Sequence, residues 1–250
     1  MNLEVTLTKK YIKKTKTNTE SRILKILAHN KEFEQYKLDK TLEISYRTIL
    51  RKLETMEKNF GIIKLVRTEP SKKGGKDKKI YTITLKGLWL HLSEIKQLNS
   101  PKGKEEIIKI INLFPEMLLF FKKWPLFIKS GLQDEMLGYF IEALKSSWLD
   151  YQNRIGLLHT SEMQRETFHK ILDHFDDNLK EFLDSHTLVD SLLASGTKER
   201  LKIVYLQDQE LNTFANKIIA KAEKNQLRIK EIKSCLNNNQ KNNNVSKITT

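Results

Sequence analysis

Apolar positions recur at helical spacing through most of this 250-residue chain. Over about 20–30, Ile23, Leu24, Ile26 and Leu27 fall on one face, behind Asn18 or Thr19 as N-cap. Leu38 and Leu42 mark a short second helix. Ser45 is placed to cap a third, because its hydroxyl accepts a free amide of the first turn. Ile49, Leu50, Leu53 and Met56 repeat along that helix, and Gly61 ends it. The pattern then changes to two β-branched runs, Ile62–Arg67 and Lys79–Leu85, which read as strands. The segment 69–78 between them is long, Gly-containing and basic, as suits a hairpin loop. Leu88, Trp89, Leu92 and Ile95 restore the helical period. Turn formers gather at Asn99–Gly103, the expected domain boundary. Beyond it, helices are predicted over about 104–121, 132–155, 161–184, 187–194 and 198–236, with Pro115 kinking or splitting the first. Ahead of it all, Leu3, Val5 and Leu7 alternate like an edge strand, before the polar stretch Lys9–Lys16.

Charge sharpens this picture. The net charge is +14, and residues 1–100 carry 23 Lys+Arg against 11 Asp+Glu, while 101–250 carry 22 against 20. Within the first hundred, excess cations fall on 1–18, on 45–60 and on 67–80, and 19–44 is neutral. A lone lysine run is usually a solvated surface, whereas three basic segments around one neutral helical segment point to a polyanionic partner. Nine Gly and four Pro argue against an all-β fold. The one cysteine, Cys235, excludes an intramolecular disulfide framework and Cys-rich zinc sites, and a reducing, cytoplasmic setting is expected. No signal peptide is expected in 1–16. The apolar stretch Ile107–Ile128 is interrupted by Lys109, Pro115, Glu116, Lys122, Lys123 and Pro125, so no membrane insertion is expected.

The stretch from Leu38 to Ile63 resembles the second helix, turn, recognition helix and first strand of a winged helix-turn-helix. Tyr81-Thr-Ile-Thr-Leu-Lys-Gly87 is loosely similar to the Y-x-L-T-x-x-G entry into the helix after the wing in MarR-like and PadR-like regulators. The resemblance covers about 19–95, and Asn59-Phe60 lengthens the join to the first strand. It implies that the third helix enters the major groove of double-stranded DNA. Tyr46, Arg47, Thr48 and Arg51 would then face base edges, since they lie opposite Ile49, Leu50 and Leu53. Ser45 and Lys52 would contact the backbone. Wing residues Lys72, Lys73, Lys76, Lys78 and Lys79 would neutralise phosphates, with Gly74-Gly75 allowing close approach. The basic arm 1–18 reaches DNA or remains a tail beside an edge strand.

The resulting fold class is mostly α with a small β-hairpin: a basic arm 1–18, a winged helix-turn-helix 19–98, an all-α domain 104–236 and a disordered Asn-rich tail 237–250. Aromatics crowd 114–151. They suit a helical core or a dimer interface, the alternatives being an apolar pocket for a small-molecule effector and an interfacial membrane contact at Leu118–Ile128. Ile203, Leu206, Leu211, Phe214, Ile218, Ala222, Ile229, Ile232 and Leu236 recur at mostly three- and four-residue spacing, as in a homodimer seam or a helix packed on its own domain. Glu166, His169, Asp173, His174 and Asp177 share one predicted helix. The two histidines diverge by about 140° there, so a solvated face is the better reading. No phosphate loop, nucleophile elbow or dinucleotide fingerprint occurs. No enzyme chemistry, cofactor or metal site is therefore expected. The leading expectation is a sequence-specific, dimeric transcription regulator. The alternatives are a replication-initiation or partition protein of a plasmid or small genome, and a scaffold that uses the winged helix for protein contacts.

Overall fold

A computed structural model describes residues 19–70, 77–95, 97–160, 165–193 and 198–245, with side chains described for 19–70, 77–95, 97–153, 178–192 and 200–227. The protein is mostly helical with one small antiparallel sheet. It divides into two compact units, one ending at Ser191 and one beginning at Leu192. The turn at 99–103 lies inside the first unit.

The first unit opens with α1 (Thr19–Ala28), β1 (Phe33–Glu34), α2 (Gln35–Leu42) and α3 (Tyr46–Glu54). A single π-type turn, Thr55–Asn59, extends α3 and buries Met56. The hairpin β2 (Ile63–Glu69) and β3 (Lys78–Ile83) follows, then α4 (Leu85–Ser93). The strand order is β1-β3-β2, with a bulge between Leu65 and Arg67. Ile23, Leu27, Leu38, Ile49, Leu53, Ile63, Ile80 and Ile83 form the core between these helices and the sheet, so the apolar periodicity read along the chain is the buried face. The strand β1, with Phe33 beside Tyr81 and Glu34 beside Ile80, is too short to leave a period in the sequence.

Thr84 and Gly87 explain the entry into α4. The Thr84 hydroxyl donates to the Gly61 carbonyl at 2.7 Å and accepts the Gly87 amide at 3.2 Å, while the Thr84 amide donates to the Ile62 carbonyl at 3.1 Å. One threonine thus caps the helix and ties it to the start of β2. Gly61 itself sits at φ 60, a left-handed conformation that glycine adopts freely.

The remainder of the first unit comprises α5 (Pro101–Leu113), α6 (Leu119–Lys122), α7 (Trp124–Lys129), α8 (Gln133–Thr160) and most of α9 (Arg165–Leu193). Ser100 caps α5 by accepting the Gly103 amide at 3.1 Å, with Pro101 in the first helical position. Helix α5 ends at Leu113, two residues before Pro115. The predicted break at 185–186 is absent: no Gly or Pro interrupts α9, and the Thr187 hydroxyl folds back on the Leu183 carbonyl at 2.7 Å. Phe120 lies with ring centroids 5.6 Å from Trp124 and 5.2 Å from Phe140, and Phe121 lies 5.2 Å from Phe140; all four rings are buried. The aromatic run is therefore a packed core in this part. Helix α4 is fastened to α8 by the Trp89 indole, which donates to the Ser147 hydroxyl at 2.8 Å. Within Leu118–Ile128, Leu118, Phe120, Phe121, Trp124 and Phe127 are buried. Among the described residues, no helix is long and apolar enough to cross a membrane.

Asp184 is buried and accepts the amides of Leu119 and Phe120, each at 3.0 Å, at the start of α6. Burial pushes its carboxyl up to about 6, against the pull of those two amides. A carboxyl raised on folding holds its proton better in the folded chain. Its contribution to stability is complete below about pH 4 and lost as pH rises through about 6. We therefore expect wild-type melting temperature to drop between pH 4 and 7 relative to Asp184→Asn, by the equivalent of about 2 kcal/mol. Parallel wild-type and variant melting curves across that range would refute the assignment.

The second unit contains α10 (Lys198–Gln207) and α11 (Gln209–Val245), which pack on each other. The single helix predicted over 198–236 is split because the Asp208 carboxylate accepts the Leu211 amide at 3.0 Å and caps a new helix. Helix α11 then runs to Val245, past the predicted end at 236, because 209–245 contains no Gly or Pro. Leu211 is buried, Phe214 and Ile218 are half-buried, and Ile203, Leu206 and Ala222 are exposed. The side chains of Ile229, Ile232, Cys235 and Leu236 lie outside the described set, as do those of Glu166, His169, Asp173, His174 and Asp177.

Candidate nucleic-acid interface

Helix α3 begins at a fixed point. Glu43, at φ 56, turns the chain out of α2, and its amide donates to the Asp39 carbonyl. Ser45 then accepts the Thr48 amide at 3.3 Å, and the two hydroxyls lie 2.8 Å apart. Ser45 and Thr48 are thus bonded to each other at the helix start. Tyr46 is half-buried, and its hydroxyl accepts from the Gln35 side chain at 3.4 Å. These bonds orient the helix.

Ile49 and Leu53 point into the core, and the opposite face carries Arg47 and Arg51. Both arginines are exposed, one helical turn apart, and among the described residues neither guanidinium has a hydrogen-bond or ion-pair partner. Two unengaged guanidiniums on one face can take acceptors from a base edge or a phosphate. Lys52 differs. Its ammonium pairs with the Glu20 carboxylate of α1, and its side chain is only 29% exposed. Sequence spacing placed Lys52 on the phosphate side, but it could not show an acidic partner 32 residues away.

The hairpin supplies a second basic surface. Lys78 and Lys79 are exposed at the start of β3, opposite Glu69 and Thr68 of β2. The Lys78 ammonium lies 5.8 Å from the centre of the Tyr36 ring. The Lys58 ammonium, 2.8 Å from the Glu54 carboxylate, and to a lesser extent Lys79 hold that carboxyl below the usual carboxylate range. Arg67, counted among the cations of the hairpin, bonds Glu32 and Glu69; those bonds push its pKa up and occupy its guanidinium. Lys64 is a further exposed cation of β2, with no motif in the sequence to single it out. Lys72, Lys73, Lys76 and the arm 1–18 lie outside the described residues.

The candidate surface thus combines a capped helix bearing two exposed arginines, unengaged among the described residues, with a hairpin whose β3 start carries two lysines. Compared with known proteins, the chain matches no family model, no curated protein and no solved structure.

Proposed function

We propose that this chain is a sequence-specific, double-stranded-DNA-binding transcription regulator of winged helix-turn-helix type, acting in the cytoplasm as a homodimer. The observation that carries the reading is the pair of exposed arginine side chains on the outward face of α3 that have no partner among the described residues. Two further facts support it. Three helices, the first followed by a two-residue strand and the last two joined by a tight turn, precede an antiparallel hairpin. The excess positive charge falls in the same hundred residues. In this reading Arg47 and Arg51 meet base edges, Tyr46 and Thr48 position the helix, and the hairpin lysines meet phosphates. Exposed Ile203, Leu206, Ile219 and Leu227 on α10 and α11 are apolar surface for a second copy.

Selection of bound sequences from a pool of random duplexes tests the proposal. We expect an inverted repeat whose half-sites reflect the dimer; recovery of unenriched sequence would contradict sequence-specific reading. Replacing Lys72, Lys73 and Lys76 with Ala should weaken all duplexes alike and reduce the salt slope by about 1 for each phosphate no longer neutralised. Unchanged affinity and slope in fluorescence anisotropy would remove these lysines from the interface.

A further inference from the structure

On the first unit, three groups distant in sequence converge at the end of α1: His29 in the turn after it, His91 on α4 and Glu106 on α5. We propose that His29, His91 and Glu106 bind a divalent transition-metal ion, with Zn2+ the best match. The His29 Nε2 lies 2.8 Å from Glu106 Oε1, and His91 Nε2 lies 3.4 Å from the same oxygen. All three ligand atoms fall within 4.8 Å of one another. Donors around a tetrahedral zinc stand roughly 3.3 Å apart, so small side-chain rotations bring this set onto one ion.

An orienting bond supports the same assignment. The His29 Nδ1 is 2.7 Å from the Lys25 carbonyl oxygen. A carbonyl only accepts, so Nδ1 carries a hydrogen, and an unprotonated Nε2 aims its lone pair at Glu106. A lone pair facing a carboxylate is unfavourable unless a proton or a metal ion lies between them. Imidazoles that ligate metals are commonly held by this same bond to a backbone carbonyl. The ligand set also selects the metal. Two imidazole nitrogens and one carboxylate suit Zn2+, Co2+ or Ni2+ and disfavour the oxygen-seeking Mg2+ and Ca2+. His91 is 8% exposed and His29 33%, so the site is walled on one side and open to water on the other. Three protein ligands with room for water is an open coordination sphere. The ion would join α1 directly to α4 and α5, whether or not the chain binds DNA.

The test uses the full chain, stripped with chelator and titrated with Zn2+ by calorimetry and with Co2+ by visible absorption. Wild type should bind one ion with micromolar or tighter affinity and show the Co2+ ligand-field bands of a low-coordinate site. Zn2+ should abolish those bands. His29→Gln and Glu106→Gln should each weaken this binding at least about 10-fold. His186→Gln, which alters an exposed histidine paired with Asp190, should leave it unchanged. Melting of the metal-free variants establishes that each is folded, and His29, being the more exposed ligand, gives the decisive variant. Absence of stoichiometric binding by wild type, or undiminished affinity in His29→Gln, overturns the proposal.

Discussion

Gly87→Ala should cost the first unit about 3 kcal/mol or more and lower its melting temperature accordingly. A Cβ at this position would stand 2.0 Å from the Ile62 carbonyl oxygen and 2.9 Å from the Ile62 carbonyl carbon. Neither is a flexible side-chain end. Ile62 is held by its amide on Met56 and by its carbonyl accepting from Thr84, so relief means moving α4 away from the strand. That movement would break the Thr84 cap and pull on Trp89, whose indole anchors α4 to Ser147. Thermal or urea unfolding followed by circular dichroism measures the loss. A melting temperature within a degree or two of wild type would mean that α4 does not sit against Ile62 this closely. Gly61 offers an internal contrast: nothing lies within 4 Å of a Cβ there, so its substitution meets only the backbone strain of φ 60.

The Arg47→Ala, Arg51→Ala double variant should lose nearly all preference for the selected duplex over a scrambled one, while retaining weak binding to both. One bidentate arginine–guanine contact is worth about 1–3 kcal/mol of discrimination, so two removals predict roughly 30-fold loss or more. Stability should change little, because both side chains are exposed and bond to no other described residue. The contrast with Lys52→Ala is specific. Lys52 is held by Glu20, so its removal should register as a small loss of stability with little change in specificity. If the double variant kept full discrimination, α3 would not be the reading helix.

Legibility in the sequence followed the range of the interactions. Ser45, Gly61 and the Thr84–Gly87 entry act within a few residues, and their chemistry shows in the local string. The buried faces of α1 and α3 were equally clear, since periodic Ile and Leu have few other uses. Phe33–Glu34 was missed because a two-residue strand has no alternation and exists only by pairing with β3. Asp208 is a good cap that the longer apolar spacing concealed, and the merged α9 shows that Ser185-His186 is too weak a breaker without Gly or Pro. On α3, spacing put Tyr46, Arg47, Thr48 and Arg51 on one outward face; Arg47 and Arg51 are exposed there, but Tyr46 and Thr48 are half-buried and bonded to Gln35 and Ser45, and spacing could not say which cations were already engaged. Arg67 and Lys52 meet acids from β1's neighbourhood and from α1, pairings that only the folded chain reveals. His29, His91 and Glu106 carry no spacing signal for the same reason.

Double-stranded-DNA binding is the central claim, and a salt titration of the full chain on a labelled duplex tests it most directly. Plotted logarithmically, affinity should fall linearly with salt at a slope of about −0.9 for each phosphate neutralised. Contacts to six or more phosphates would cost on the order of 10³-fold between 50 and 200 mM salt. Absence of duplex binding even at the lowest salt, or affinity indifferent to salt, would contradict DNA binding by this chain.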